Sequence, residues 1–595
     1  MIGPLRTSIA TVCLGGTLDE KLDAIAAAGF DGVELFENDV TTSDLTPEQI
    51  RERLDALGLR LDLLQPLRDL DAVAPDVFAA NLRRAEAKFD LMQRLGTDLL
   101  LVTSNVATAT VDDDAVIAGQ LAALADAAAA RGLRIAYEAL AWGRYISTTD
   151  RAWRVVRLAD RPNLGLCVDS FHMLARWTDP AMLADVPGDK IFFCQLADAA
   201  PMQLDVLTWS RHHRNFPGEG SFDLTGFTRR LLDTGYAGPL SLEVFNDVFR
   251  RIEPRSTAVE AMRSLIVLAD AVGEAPLPPL GVARSVDHLE LTGPAGRTAE
   301  LLRAFGFTPR TARGRSMQVF ESGGARVLVR DRAADPVRLA GLGFGVPDPH
   351  AAADRARALN LPEVAVPSAP VGARRAFQAP NGVTIRFARA DGGPAAVPQP
   401  ADPPLVQAID HVSLVETWKQ VEEAIFVYRS LLGLTVSKPE DVLDPGGLVR
   451  SQSLANHDDS VRLAINVLPT DDCDSSGEHV AFRTTDLTAC VRRLRDAGVP
   501  VLAMPRNYYD DLAARLGLDP ELVDALREHD ILYDRDPTGA EYLQAYADLG
   551  DGLEFEFVER RGAYRGYGAV NAPTRRAAQL RARRGARERM RTSAV

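Results

Sequence analysis

The sequence predicts an α/β chain in two parts, a (β/α)8 TIM barrel followed by an α+β part made of tandem βαβββ modules. Two features carry that prediction. Over about the first 270 residues, eight short apolar runs alternate with stretches of helical spacing, the count and length a closed barrel needs. The remainder repeats one pattern twice, each copy opening on a strand that contains Asp-His.

The strand-like runs of the first part are Ser8–Leu14, Gly32–Phe36, Arg60–Gln65, Asp98–Thr103, Arg134–Ala139, Leu164–Asp169, Ile191–Ala197 and Pro239–Val244. Between them lie helical stretches such as Asn81–Leu95 and Asp114–Arg131. Gly29, Gly58, Gly96 and Gly132 follow four of the helices, as left-handed C-caps do. No glycine-rich phosphate fingerprint follows the first run, which argues against a doubly wound sheet. The barrel is expected over 1–272, with the proline-rich segment 273–281 as linker. A second break at Pro394–Pro404 divides the rest into modules at 282–393 and 405–574. Each module opens on its Asp-His strand (Asp287-His288, Asp410-His411). A helix follows, and each closes on an alternating strand after Asn381-Gly382 or Asp551-Gly552.

At 595 residues the chain exceeds one core, which stops growing near about 250–300 residues. A net charge of -15 removes the electrostatic case for nucleic-acid binding. The one basic stretch, 575–595, holds eight Arg against one Glu and reads as a disordered, solvated tail. No run reaches the roughly 18 apolar residues of a membrane span. The N-terminal residues lack a signal-peptide pattern, so a cytoplasmic protein is expected. Cys13, Cys167, Cys194, Cys473 and Cys490 form no CxxC pair, and Cys167 and Cys194 read as small buried hydrophobes. The expected partner is a small-molecule substrate, with homo-oligomer formation left open.

Catalytic groups of such barrels gather at the C-terminal ends of the strands. There Glu138, Asp169, Gln195 and Glu243 each interrupt an apolar run, on four consecutive strands. Burying three carboxylates together costs several kcal/mol per charge unless a cation joins them. An all-oxygen set suits Mg2+, Mn2+ or Co2+ rather than zinc. His172, just past Asp169, is a candidate general base. Arg68, after the third strand, is a candidate carboxylate grip, and Ser210 with Arg214 could complete an anion pocket. Arg211, His212 and His213 read as solvated loop residues.

The motifs YEAL, CVDSFH, CQLAD, FPGEG and LSLEVFND resemble the xylose-isomerase-like superfamily of sugar-phosphate isomerases and epimerases. With the tandem second part, the chain is more similar still to the bacterial two-domain 3-dehydroshikimate dehydratases. Gln195, where the isomerases commonly have histidine, fits the dehydratases better. The resemblance implies metal-dependent conversion of 3-dehydroshikimate to protocatechuate in quinate and shikimate breakdown. A sugar or sugar-phosphate isomerase or epimerase is the alternative for the barrel, with Glu138 and Glu243 straddling the substrate.

In the second part, His411, His479 and Glu556 lie on separate strands, as in the two-histidine, one-carboxylate triad of Fe(II) oxygenases. In the first module the corresponding residues read as His288, Gly341 and Arg386, which cannot hold the same ion. The segments NYYD, ILYDRD and FEFVERRG resemble 4-hydroxyphenylpyruvate dioxygenase and the vicinal-oxygen-chelate family. That resemblance implies a second divalent metal, Mg2+ or Fe2+. An active dioxygenase and a non-catalytic module both remain open at this point.

Overall fold

The computed structural model describes residues 3–310, 317–332, 336–365, 375–390, 404–445, 447–468, 478–547, 549 and 552–593, with side chains as far as Arg584. Most of the break at Pro394–Pro404, together with Cys473 and Asp551, lies outside the described residues. The chain divides into two compact units, 1–277 and 278–595.

The first unit is a closed barrel of eight parallel strands. They are β1 (Thr7–Ala10), β2 (Gly32–Phe36), β3 (Arg60–Leu67), β4 (Leu99–Thr103), β5 (Arg134–Glu138), β6 (Leu164–Asp169), β7 (Ile191–Leu196) and β10 (Leu240–Leu242). A two-stranded ribbon, β8 (Asp198–Ala199) with β9 (Arg214–Asn215), lies between β7 and β10 in sequence. Strand alternation divides the apolar residues. Leu99 and Leu101 join Leu63, Ala136, Cys167 and Phe193 in a small cluster, while Leu100 and Val102 join the large one. Capping boxes at Thr17/Glu20 and Thr46/Gln49 start two of the helices, and Gly29, Gly58 and Gly96 end three in the left-handed conformation.

Two strands are shorter than the apolar pattern predicts, because side chains replace carbonyls as hydrogen-bond partners. After Ala10 the chain enters a 3-10 turn, and the Thr11 hydroxyl accepts the Phe36 N–H at 3.1 Å. After Leu242, the Val244 N–H goes to the Cys13 sulfur at 3.1 Å. Cys13, Cys167, Cys194 and Cys490 are all buried and free.

The second unit contains two large mixed sheets of the same topology. The strand Ser285–Gly293 runs parallel to Ala325–Asp331 and antiparallel to Arg338–Val346. The strand Ala408–Thr417 runs parallel to Arg462–Leu468 and antiparallel to His479–Arg483. Both opening strands carry an irregularity at the aspartate of Asp-His, a bulge that sets Asp287 or Asp410 beside the ring of the next residue. Each half is itself a pair of strand-helix-strand units, so the sequence undercounts the repeat. The strand Thr384–Arg389 closes the second pair of the first half.

Of the segment 575–595, expected to be a disordered tail, the described residues 575–593 are helical. Helix Ala572–Ser593 runs through it. Arg575, Ala578 and Gln579 are buried at i, i+3 and i+4, so composition concealed a helical face. Arg576 pairs with Asp444 at 2.5 Å and Arg583 with Glu554 at 3.0 Å. No helix among the described residues is long and apolar enough to cross a membrane.

Candidate metal centre

β5 ends on Glu138, β6 on Asp169, β7 carries Gln195 near its end, and Glu243 follows β10. All four are buried at the top of the barrel. Ligand atoms of Glu138, Asp169 and His172 lie within 4.8 Å of one another. The Oε1 atom of Glu138 is buried without a hydrogen-bond partner among the described residues. An orphaned carboxylate oxygen among other carboxylates fits a divalent cation.

Arg214, fully buried, sits between the acids. Its Nη1 donates to Asp169 Oδ2 at 2.8 Å and to Glu243 Oε2 at 3.2 Å. Ser210 holds the guanidinium from behind, accepting at 2.8 and 3.1 Å, and Phe171 stacks on it with its centroid 4.5 Å away. The sequence-predicted Ser210, Arg214 and His172 are thus brought together with the acids. Arg68 is exposed and stands apart at the mouth.

The charge of this cluster is felt in its ionisation. Burial, then the Glu243 charge, raises Glu34 and Glu138 well above the ordinary glutamate range. Burial raises Glu243 to about 7, against the opposing pull of Arg214. Burial would also raise Asp169, but Arg214 and His172 outweigh it and hold it below the usual value. His172 is pushed down to about 3 by burial, with the Arg214 and Arg211 charges adding to it. The Ala141 N–H donates to Nδ1 at 3.2 Å, so the neutral ring carries its own hydrogen on Nε2, 3.3 Å from Arg214 Nη2.

In the second unit, His411 Nε2, His479 Nε2 and Glu556 Oε2 converge at 3.2–3.3 Å from one another. Glu556 Oε2 is likewise buried without a hydrogen-bond partner, while Gln544 donates to Oε1 at 2.8 Å. Asp410 orients His411 through Nδ1 at 3.0 Å and is itself clamped by Arg560 at 2.7 and 2.8 Å. His479 Nδ1 faces Arg575 at 3.2 Å. Burial, then that cation, pushes His479 down to about 4.

Residues 22–268 match the family model for the xylose isomerase-like TIM barrel, and 408–541 match that of the glyoxalase, bleomycin resistance protein and dioxygenase superfamily. A 3-dehydroshikimate dehydratase of Pseudomonas aeruginosa is 39% identical, with 98% of this chain and 99% of that protein covered. The chain belongs to the 3-dehydroshikimate dehydratases. A relative of the same name from Neurospora crassa is 28% identical and covers 46% of this chain and 96% of itself. A solved fusion of a xylose isomerase-like barrel with a 4-hydroxyphenylpyruvate dioxygenase superimposes with a TM-score of 0.85, at 37% identity. It covers 97% of this chain and 100% of its own.

Within this dehydratase, three residues near the site were missed from sequence. Glu34 on β2 is buried and accepts from Gln195 Nε2 at 2.6 Å, Gln65 Nε2 at 2.7 Å and the Ser241 hydroxyl. It therefore fixes which end of the Gln195 amide is the nitrogen, while the carbonyl oxygen accepts from the Cys167 thiol at 3.2 Å. Gln65, at the end of the third strand run, shares that contact. Arg211, expected in solvent, is half-buried over Trp142 and Phe245, and burial, then the nearby Arg68 charge, lowers it below the ordinary arginine value. His212, by contrast, is exposed and pairs with Asp247 at 2.9 Å.

The first module carries other residues at the corresponding positions. By register, Gly341 stands opposite Glu290 as His479 stands opposite Ser413, and Arg386 beside Gly343 as Glu556 beside Ala481. Glu290, at the position of Ser413, pairs with Arg386 and lies 3.5 Å from His288 Nε2. A guanidinium thus stands beside Glu290 and His288 in this module.

Proposed function

We propose that the barrel unit dehydrates 3-dehydroshikimate to protocatechuate, in the breakdown of quinate and shikimate, using Mg2+, Mn2+ or Co2+ held by Glu138, Asp169, Gln195 and Glu243. The observation that carries this is the orphaned Glu138 oxygen among buried acids at the C-terminal end of the barrel. When bound, the cation supplies Lewis-acid polarisation of the ring carbonyl and a neighbouring hydroxyl. Arg211 and Arg68 at the mouth offer guanidinium donors to the ring carboxylate, while Arg214 below is held by Asp169, Glu243 and Ser210. His172 is the candidate base: its Nε2, 3.7 Å from Glu138 Oε1 and 3.6 Å from Asp169 Oδ2, takes the ring proton in the tautomer that carries its hydrogen on Nδ1, which requires the Ala141 contact at Nδ1 to open. Loss of hydroxide and tautomerisation then give the aromatic product. That a fungal relative of the same name matches 46% of the chain supports assigning the activity to one unit.

The test is ultraviolet detection of protocatechuate from 3-dehydroshikimate, with metal-stripped full-length protein reloaded with each ion. Product is expected only on reloading. Ketose interconversion without aromatic product would overturn the reading in favour of an isomerase.

Metal binding should depend on pH with a defined sign. A proton and the cation compete for Glu243, whose pKa is about 7. Apparent affinity should therefore rise about tenfold per pH unit below about 7, more steeply if Glu138 also releases a proton, and the rise should slacken above it. Titration calorimetry at several pH values checks this, and a flat profile would count against a protonated cluster.

We infer that the second triad also holds a divalent ion, Mg2+ or Fe2+, given its orphaned Glu556 oxygen and its oriented His411. His411→Ala should lower the metal content by one ion per chain. Elemental analysis reads that directly.

A further inference from the structure

At the mouth of the barrel, rings and guanidinium groups alternate in one stack. The Arg211 guanidinium lies over Trp142, 5.7 Å from the ring centroid, and over Phe245 at 5.1 Å. Arg214 lies over the same Phe245 at 5.5 Å and over Phe171 at 4.5 Å. Phe245 therefore stands between two cations, and Phe36 braces it edge-on at 6.5 Å. Trp142, at the outer end, meets the His172 ring edge-on at 5.0 Å. Chain segments that follow β5, β6 and β10 thus fix Arg211, which belongs to the helix Val206–His212.

The two guanidinium groups of the stack are used differently. Arg214 spends its N–H groups on Asp169, Glu243 and Ser210. Arg211 has no hydrogen bond or ion pair among the described residues. Its contacts are with its faces, and a ring against the face of a guanidinium uses none of the N–H groups, which lie in the plane. Arg211 is therefore held in place with its donors unspent, and a carboxylate is the planar acceptor that such an edge fits. Arg68, exposed and likewise without an ion pair, carries the charge that Arg211 feels most strongly. Two like charges side by side, one of them half-buried, are unfavourable until an anion joins them.

We propose that Trp142 and Phe245 are positioning residues that act through Arg211, clamping its guanidinium so that the barrel selects a substrate bearing a carboxylate. The proposal rests on the dehydratase reading, in which the ring carboxylate of 3-dehydroshikimate is the group selected. An arginine side chain loses much rotamer freedom when its head is fixed, and the two rings impose that loss before the substrate arrives. Phe245 has a second effect. Its ring keeps Arg211 apart from Arg214 and the acids, and without it the outer guanidinium is free to turn onto Glu243, whose ionisation already feels its charge.

The test uses full-length protein loaded with Mn2+. Protocatechuate and the uncharged, near-isosteric 3,4-dihydroxybenzamide are compared as competitive inhibitors of dehydration. They are compared again by titration calorimetry, with the Arg211→Gln protein as the blank for binding elsewhere. In the parent the acid should bind about 10- to 100-fold tighter than the amide, the difference a charged hydrogen-bond partner makes. Arg211→Gln should bring that ratio close to one and raise KM by more than it lowers kcat. Phe245→Leu and Trp142→Leu should each lower the ratio about 3- to 30-fold, the worth of one cation–π contact, whereas Phe245→Tyr keeps the ring and should keep the ratio. Added to Arg211→Gln, Phe245→Leu should change the ratio no further. An acid-to-amide ratio that Phe245→Leu leaves unmoved would overturn the proposal, and so would general loosening of the mouth that weakens both ligands alike. A further fall in the double variant would also overturn it, by routing the effect through Arg214. A parent that forms no protocatechuate would fail the dehydratase reading alone, because calorimetry reads the ratio without turnover.

Discussion

Glu138→Gln should abolish dehydration while leaving the barrel folded. The substitution keeps the shape of the side chain and removes one anionic ligand, so polarisation of the substrate carbonyl loses several kcal/mol, or at least about 10³-fold in kcat/KM. The change breaks no hydrogen bond at that atom, because Glu138 Oε1 has no hydrogen-bond partner among the described residues. The metal-free variant should even be more stable than the parent. Burial and the neighbouring acids raise the Glu138 pKa well above its ordinary 4.5. A group whose pKa rises on folding stabilises the folded state fully only below its unfolded value, and that contribution is lost as pH climbs from about 4.5 towards the raised value. Glutamine has no such loss, so the gain in melting temperature should widen with pH in the absence of metal. With metal added the order should reverse. A Glu138→Gln protein that turns over normally, or one that melts lower than the parent in chelator, would sink the metal assignment.

The parts of this site that were legible in sequence share one property, that the signal is local. An acid or amide interrupting an apolar strand marks Glu138, Asp169, Gln195 and Glu243, because burial of such a group demands a partner wherever it occurs. Glu34 in GVELF carries the same mark but was passed over, since it lies far from the others along the chain. Only closure of the barrel, with β1 paired to both β2 and β10, brings β2 beneath the ligands. Arg211 was placed in solvent for a related reason. Its position depends on the ribbon of β8 and β9, which folds the loop over the barrel mouth, and a pairing of two residues with two leaves no periodicity to read. In the second unit, histidine and glutamate identities revealed the triad, and the matching register of the first module confirmed which positions correspond. The helix at the C-terminus was hidden by its own composition. Eight arginines in one segment suggest solvent, yet three of them meet Asp444, Glu554 and His479.

Arg214 should prove structural in the absence of metal and catalytic in its presence. The guanidinium is the cation that the barrel cluster uses for itself, bridging Asp169 and Glu243 from a fully buried position. Arg214→Met keeps the length and the contact with Phe171 but strands two buried carboxylates. Breaking a buried pair from one side costs about 3–5 kcal/mol, which for a domain of this size lowers the melting temperature by on the order of 10 °C. A divalent ion at about 100 times its dissociation constant returns about 2.7 kcal/mol, so most of that loss should disappear on metal loading. Turnover should not return with it, because the guanidinium that holds Asp169, Glu243 and Ser210 in place and faces His172 Nε2 is gone. Arg214→Lys should recover stability better than rate, since an ammonium balances the charge without the planar fork that reaches two acids and an imidazole together. Melting curves with and without Mn2+, read beside kcat/KM, separate the two roles. An Arg214→Met protein that melts like the parent in chelator would show that the acids are already protonated and need no counter-ion. One that keeps its turnover would remove Arg214 from the substrate's path.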